Sequence, residues 1–234
     1  MIIGSMIVKD EADRYLQASL FRLVAVCDKV FVADDQSTDD SVQIARDLGC
    51  TVWVRPDDVP TFAEHEGQFR QAAWTQMGKS LKVREGSWIL SLDADECFTG
   101  TQAQLKQLQR DAGSRTAFAL RFLEVWEEDP LQIRIDGFWR ENFNRRIRKW
   151  TSDPFLDVPM GSGSVPPTTL VTEIHKISVL HYGYVDKDRR QQKYDFYKSL
   201  PNHGHNEGHI DSIIAKRPTL EALDMDVDFW KGVR

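Results

Sequence analysis

Gly86-Ser-Trp-Ile-Leu-Ser-Leu-Asp-Ala-Asp-Glu96 is the stretch on which the reading of this chain turns. A short, largely apolar run, Trp88–Leu92, follows a glycine and stops on two aspartates in Asp-x-Asp spacing. Runs of roughly four to eight such residues suit strands buried on both faces of a parallel sheet. Three more precede it: Ile2–Val8, Val30–Asp34 and Thr51–Val54. Helical patterns fill the gaps. Glu11 to Val26 sets Tyr15, Leu16, Ser19, Leu20 and Leu23 on one stripe. Ser37 or Thr38 can cap a helix over Asp39–Leu48 that Gly49 would end, and Thr61–Lys82 reads as a loop and then a helix through Phe69, Ala72, Ala73 and Met77. Strands alternating with helices predict an α/β fold, a mostly parallel twisted sheet with right-handed crossovers flanked by helices.

Beyond Cys97 the pattern changes. A helix at Thr101–Ala112 precedes longer strands at Thr116–Trp126 and Ile133–Trp150, a Gly/Pro/Ser-rich loop at Val158–Thr169, a strand at Ile177–Tyr184 and a charged helix at Asp188–Leu200. With no repeat and no long linker, the chain reads as one domain, 1–234. Its parts are a nucleotide-binding half (1–98), an attached substrate half (99–186) and a C-terminal helical tail (187–234).

Composition narrows the function. The 234 residues are 41% hydrophobic and 28% charged, which suits a globular domain rather than a disordered chain. The formal charge of −6 argues against a nucleic-acid partner. Three cysteines without a Cys-x-x-Cys pair suggest neither a disulfide framework nor a zinc knuckle. No stretch nears the ~20 apolar residues of a transmembrane helix. The start of the chain reads as a strand rather than a secretory leader, and a cytoplasmic or membrane-peripheral setting is expected.

Open parallel sheets bind ligands beyond the carboxyl ends of their strands. Three such ends carry polar clusters: Lys9-Asp10-Glu11, Asp34-Asp35-Gln36-Ser37 and Asp93-Ala94-Asp95-Glu96. Asp-x-Asp recurs elsewhere, at 186/188, 224/226 and 226/228, but only Asp93/Asp95 ends an apolar strand. Two carboxylates at that spacing can aim oxygens at one hard cation, Mn²⁺ or Mg²⁺, which leaves positions open for phosphates. Asp35 can accept a hydrogen bond from a base ring N–H or from ribose, with plain helix capping as the competing reading.

Met6-Ile-Val-Lys-Asp-Glu11, Val32-Ala-Asp-Asp-Gln-Ser-Thr-Asp39 and the 86–96 segment, in this order, resemble the family-2 glycosyltransferases of the GT-A fold, most nearly the small bacterial and phage type. The resemblance covers about the first hundred residues. It implies a nucleotide-diphospho-sugar transferase fold with an acceptor-side subdomain. The backbone of Ile7, Val8 and Lys9, with Glu11, would line the nucleoside pocket; Asp35 would contact the base with Asp34 behind it, and Arg70 would face the donor. Asp93 and Ala94 would meet ribose or sugar, and Asp95, Asp93 and His181 would hold the metal. Asp10 stands where an Asn is common and Gln36 where a Gly often follows the Asp pair. The implied donor is a nucleotide-diphosphate sugar, a UDP-sugar above others; the acceptor is a glycan, a lipid-linked glycan or a protein.

An inverting transfer needs a general base at the acceptor hydroxyl. Asp153, Asp157 and Glu173 compete, and Asp157 is preferred because Phe155 and Leu156 can desolvate it and Gly161-Ser-Gly163 can hinge a lid. The basic run Arg140, Arg145, Arg146, Arg148 and Lys149 reads as a solvated strand face or as a wall toward a diphosphate or an anionic acceptor. His203, His205 and His209 with Glu207 match no common zinc spacing. A nucleotidyltransferase would open with a Gly-rich, Arg-containing loop, and a dinucleotide dehydrogenase with G-x-G-x-x-G; neither is present. The alternatives are a nucleotidyltransferase on a related fold, despite that missing loop, and a non-catalytic sugar-nucleotide-binding module.

Overall fold

The computed structural model describes residues 1–199 and 207–223. Strand β1 (Ile2–Val8) lies between β2 (Lys29–Asp34) and β4 (Trp88–Asp93), and β2 carries β3 (Thr51–Val54), all four parallel. Register settles what their carboxyl ends share: Val8 stands beside Asp34 and Ile7 beside Asp93. The acidic clusters therefore converge on one sheet edge. Residues alternate between two buried faces. Met6, Val32, Leu90 and Leu92 pack under α1 (Leu16–Val26) and α4 (Gln102–Asp111), while Ile3, Phe31 and Ile89 pack under α3 (Glu66–Leu81) through Phe69, Ala73 and Met77. Helix α1 can sit this close because Gly4 has no side chain: a Cβ there would lie 2.6 Å from Leu23 Cγ.

Past β4 the sheet turns antiparallel. It continues through β8 (Asn142–Lys149), β6 (Ala117–Glu128), β7 (Leu131–Arg134) and β10 (Leu220–Ala222). On the other edge of β6 runs β9 (Val171–His181), parallel to it, whose end pairs with the short β5 (Glu96–Phe98). That last pairing sets His181 opposite both Glu96 and Glu124. Helix α5 (Lys187–Ser199) follows and is tied down by Arg190, which donates to the Tyr184 carbonyl at 2.5 Å and covers the Trp126 ring. α6 (Glu207–Ile213) packs beside it.

Several sequence expectations are revised. Helix α1 begins at Leu16 rather than Glu11, because the N–H groups of Asp10, Glu11 and Ala12 are taken by Ser37, Ser41 and Asp39 across the loop. Ser37 and Thr38 clasp Asp10 instead of capping α2 (Ser41–Asp47). The single strand expected over Ile133–Trp150 divides into β7 and β8 at a short 3₁₀ turn, where Gly137 takes a positive φ of 54°. Strand β9 starts six residues early, since Val171–Lys176 is partly or fully exposed and lacks an apolar signal. The tail is more than helical: Leu220–Ala222 adds a strand to β7.

The loop expected to be a lid is held down. Pro159 and Val158 carbonyls accept the N–H groups of Glu66 and Gly67, Glu66 takes the Gly161 N–H at 2.6 Å, and Phe155 and Val165 are buried. Gly67 permits this seat, for a Cβ there would overlap the Leu156 carbonyl oxygen. Gly67→Ala should therefore destabilise the fold by about 1–3 kcal/mol, the usual cost of overpacking. That corresponds to roughly 2–4 °C of melting temperature per kcal/mol in a chain of this size. Thermal unfolding followed by circular dichroism tests it, and an unchanged midpoint would mean that the loop is not seated on α3.

Candidate active site

Two left-handed residues shape the part of the sheet edge beyond β1 and β2. Asp10 has a φ of 50° and Gln36 of 59°, a region where Gly, Asn and Asp are least strained. This accounts for the Asn and Gly expected at those positions. Gln36 is held by its amide, which donates to Asp57 Oδ1 at 2.6 Å and to the Arg55 carbonyl at 3.2 Å. Its own carbonyl accepts from Lys9 Nζ at 2.6 Å. Asp34 is buried and accepts the Ser37 N–H at 3.0 Å, while its Oδ1 is buried without a partner. Asp35, also buried, meets the Arg55 guanidinium with Oδ1 and the Phe62 N–H with Oδ2 at 3.0 Å. Arg55 was missed from the sequence. Its place just after an apolar strand, at the same carboxyl edge, was the available signal.

A chain of alternating charges crosses the floor. Glu66 Oε1 accepts from Arg70 Nε at 2.7 Å, and Arg70 Nη2 reaches Asp93 Oδ1 at 3.5 Å. Asp93 Oδ2 meets Arg146 Nη2 at 3.2 Å, and Arg146 pairs with Glu96. Burial raises the Asp93 carboxyl, but Arg146 and Arg70 outweigh it and hold it below its ordinary range. Burial pushes Glu96 up to about 8 against the pull of Arg146. Both oxygens of Asp93 thus face guanidiniums.

Asp95 and His181 form a second group. Asp95 Oδ2 lies 3.7 Å from His181 Nε2 and 3.9 Å from Lys193 Nζ. Behind the ring, His181 Nδ1 meets Glu124 Oε2 at 2.5 Å, and Glu124 also accepts from Asn142 at 2.9 Å. With Nδ1–H donating to Glu124, Nε2 is turned toward Asp95, the arrangement that orients metal-ligating histidines. Burial disfavours charge on the ring, yet Glu124 and Asp95 keep a proton there up to about 10. Burial likewise opposes the charge of Asp95, and His181 and Lys193 overcome it, holding that carboxyl far below its usual range. The space is kept open by Gly183, where a Cβ would stand 2.6 Å from His181 Nε2 and 2.9 Å from Asp95 Oδ2. One carboxylate oxygen, one oriented imidazole and an open gap fit a divalent cation. Among the described residues no cluster of three or more His, Cys, Asp or Glu side chains could enclose a metal. Its other positions would therefore fall to substrate and water, as is usual for Mg²⁺.

These groups share one cleft of about 990 Å³. Of the residues singled out from the sequence, Ile7, Lys9, Glu11, Asp35, Arg70, Asp93, Ala94, Asp95 and His181 line it. Val8 and Asp34 lie beneath: the Val8 carbonyl takes the Asp35 N–H at 2.9 Å. Asp157 is not brought in. Its side chain is 77% exposed, next to His65 and Gln68 on the outer side of α3, where neither Phe155 nor Leu156 desolvates it. The basic run divides: Arg146 enters the floor, Arg148 meets Asp153 at 2.9 Å, and Arg145 faces the cleft. His209 lines the cleft, while His203 and His205 lie outside the described residues. Lys193, Glu124 and Gly183 were not found from the sequence, because nothing in a charged helix or a long strand marks which residue reaches a distant site.

No protein-family model matches the chain. An uncharacterized glycosyltransferase of Rickettsia felis is 37% identical over 95 residues, 41% of this chain and 29% of that protein. One of Rickettsia prowazekii is 34% identical over 91 residues, 39% and 26% of the two chains. The match thus spans less than a third of either relative. Crystal structures of S. aureus TarS share the architecture. TarS itself has a TM-score of 0.52 at 14% identity, covering 92% of this chain and 42% of that one. TarS 1-349 in complex with UDP-GlcNAc has a TM-score of 0.50 at 14% identity, covering 92% and 71%. The fold is the GT-A glycosyltransferase type that the sequence resemblance implied.

Glu11 offers a test of the cleft's electrostatics. Burial pushes its carboxyl from the ordinary 4.5 up to about 7, Asp95 adds to the rise and Arg14 opposes it. The folded chain therefore holds a proton that the unfolded chain has released, so this group lowers stability as pH rises through that window. Glu11→Gln should gain stability relative to the parent between about pH 4.5 and 7 and hold a constant advantage above it. Urea unfolding at pH 5 and pH 8 measures this, and a difference independent of pH would contradict the burial of Glu11.

Proposed function

We propose that the chain transfers a sugar from a nucleotide-diphosphate donor to an acceptor, in a metal-assisted, inverting displacement. The observation that carries the reading is the convergence of Asp35 from the end of β2 and of Asp93 and Asp95 from the end of β4 on the cleft that also receives His181 and Lys193. The likeness to Rickettsia glycosyltransferases and the fold shared with TarS support it. UDP-sugars are the first donors to try. Asp35 and the Ile7–Lys9 edge take the nucleoside, with the Phe62 ring beside them. Asp95 and His181 hold Mn²⁺ or Mg²⁺, which supplies positive charge against the departing diphosphate. Lys193 adds a fixed cation within the same gap, so that negative charge developing on the leaving group meets a site already arranged for it. Arg70 and Arg146 hold Asp93 still beside the sugar.

For the base, the acceptor half of the cleft offers Glu141, an exposed carboxylate on the rim formed by Phe138, Asn142 and Phe143. It takes the role that Asp157 is too remote to play. A base so placed receives the proton of the acceptor hydroxyl as the hydroxyl oxygen bonds to the anomeric carbon and the diphosphate leaves.

Incubating the chain with UDP-sugars, Mn²⁺ and glycan, lipid-linked and protein acceptors, and scoring released UDP, tests the donor reading. Asp95→Asn and Gly183→Ala should each weaken Mn²⁺ binding in titration calorimetry and remove most of the turnover; full activity in EDTA would defeat the metal assignment. Glu141→Gln should lower kcat by about 10²–10⁴-fold with little effect on UDP affinity. Near-normal turnover of that variant would take Glu141 out of the mechanism.

A further inference from the structure

Arg55 belongs to none of the motifs that identify the cleft, yet it makes the most enclosed ion pair of the nucleoside end. It is 8% exposed, and its Nε meets Asp35 Oδ1. Nη1 donates to the Val59 carbonyl at 2.7 Å and to that of Pro56 at 3.2 Å, so the guanidinium is gripped on the side away from Asp35 as well. Its own N–H donates to the Asp34 carbonyl at 2.8 Å, which fixes the backbone to β2. Asp35 is 5% exposed and faces the cleft beside Ile7, Lys9 and Phe62. Each of its oxygens already accepts one hydrogen bond, and each retains a lone pair.

We propose that Arg55 is the positioning residue for base selection, fixing the direction in which the Asp35 carboxylate accepts so that the cleft takes a base with a ring N–H, uracil, over cytosine. The inference rests on the donor reading above. Arg55 on Oδ1 and the Phe62 N–H on Oδ2 fix the carboxylate, so its remaining lone pairs keep set directions. A carboxylate held in this way accepts and does not donate, so it is matched by a ring N–H. Uracil carries a hydrogen on N3, whereas cytosine presents a bare lone pair there, which an accepting carboxylate oxygen opposes. Arg55 thus acts on the base through Asp35 alone. Guanine also has a ring N–H, but it is read best by two oxygens aimed together, and here Oδ1 is turned to Arg55 and Oδ2 to Phe62.

Calorimetric titration of the full chain with UDP, CDP, GDP and ADP in the presence of Mn²⁺ provides the test. The parent should bind UDP at least about tenfold more tightly than CDP, the scale set by one unmatched buried polar contact. Arg55→Gln should collapse that ratio toward one or invert it, and Arg55→Lys, which keeps the cation, should restore it. A merely structural role would weaken all four nucleotides together and leave the ratio alone. Should Arg55→Gln fail to fold, Asp35→Asn carries the test, because an amide both donates and accepts and must likewise flatten the ratio. An unaltered UDP-to-CDP ratio in the variants, or a parent that binds CDP or GDP as tightly as UDP, overturns the inference while leaving the donor reading intact. A parent that binds none of the four overturns both.

Discussion

The alternation of acid and base from Glu66 through Arg70, Asp93 and Arg146 to Glu96 is the constraint on which the cleft depends. Five ionisable side chains, most of them buried, can share one floor only because each charge has an opposite neighbour. Removing Arg70 leaves Glu66, and removing Arg146 leaves Glu96, desolvated without its cation, which costs more than the pair contributes. The chain therefore behaves as a unit. It also explains why neighbouring carboxylates differ: Asp93 lies between two guanidiniums and stays charged, while Glu96, deeper and with one, is pushed up to about 8.

Around this floor the elements divide their work. The parallel strands supply position, because register alone sets Val8 by Asp34 and Ile7 by Asp93. The antiparallel half supplies countercharge and orientation: Arg146 from β8, Glu124 from β6, His181 from β9 and Lys193 from α5. Gly67 and Gly183 do what no side chain could, one letting a loop lie against α3 and the other leaving room between Asp95 and His181.

How much of this was legible follows from the same division. Apolar runs of a parallel sheet are local signals, so β1 and β3 match their expected bounds and the acidic strand ends were found with them. Asp35 and Asp95 were readable because a polar cluster that ends a buried strand has few purposes. Arg55, Glu124 and Lys193 were not, since their meaning comes from neighbours far away in the chain. Asp157 was misjudged for a related reason: Phe155 and Leu156 adjoin it in sequence, but Phe155 turns into the core beside Trp74 and leaves the carboxylate in water. The split of Ile133–Trp150 into two strands was hidden because both pieces have strand-like composition and only Gly137 marks the turn.

The pairing of β9 with β5 has a further consequence for how the molecule comes into being. Three of the ties that complete the cleft are remote along the chain: 50 residues separate Glu96 from Arg146, 57 separate Glu124 from His181, and 95 separate Glu66 from Gly161. Contacts of such separation close late, after local helices and the first hairpins have formed. During synthesis the first hundred residues can gather their parallel strands, yet Glu96 lacks Arg146, and Asp95 lacks His181 and Lys193, until β8, β9 and α5 arrive. Competence thus coincides with the last closure of the sheet, and a half-made chain carries the outline of the pocket without its charge balance.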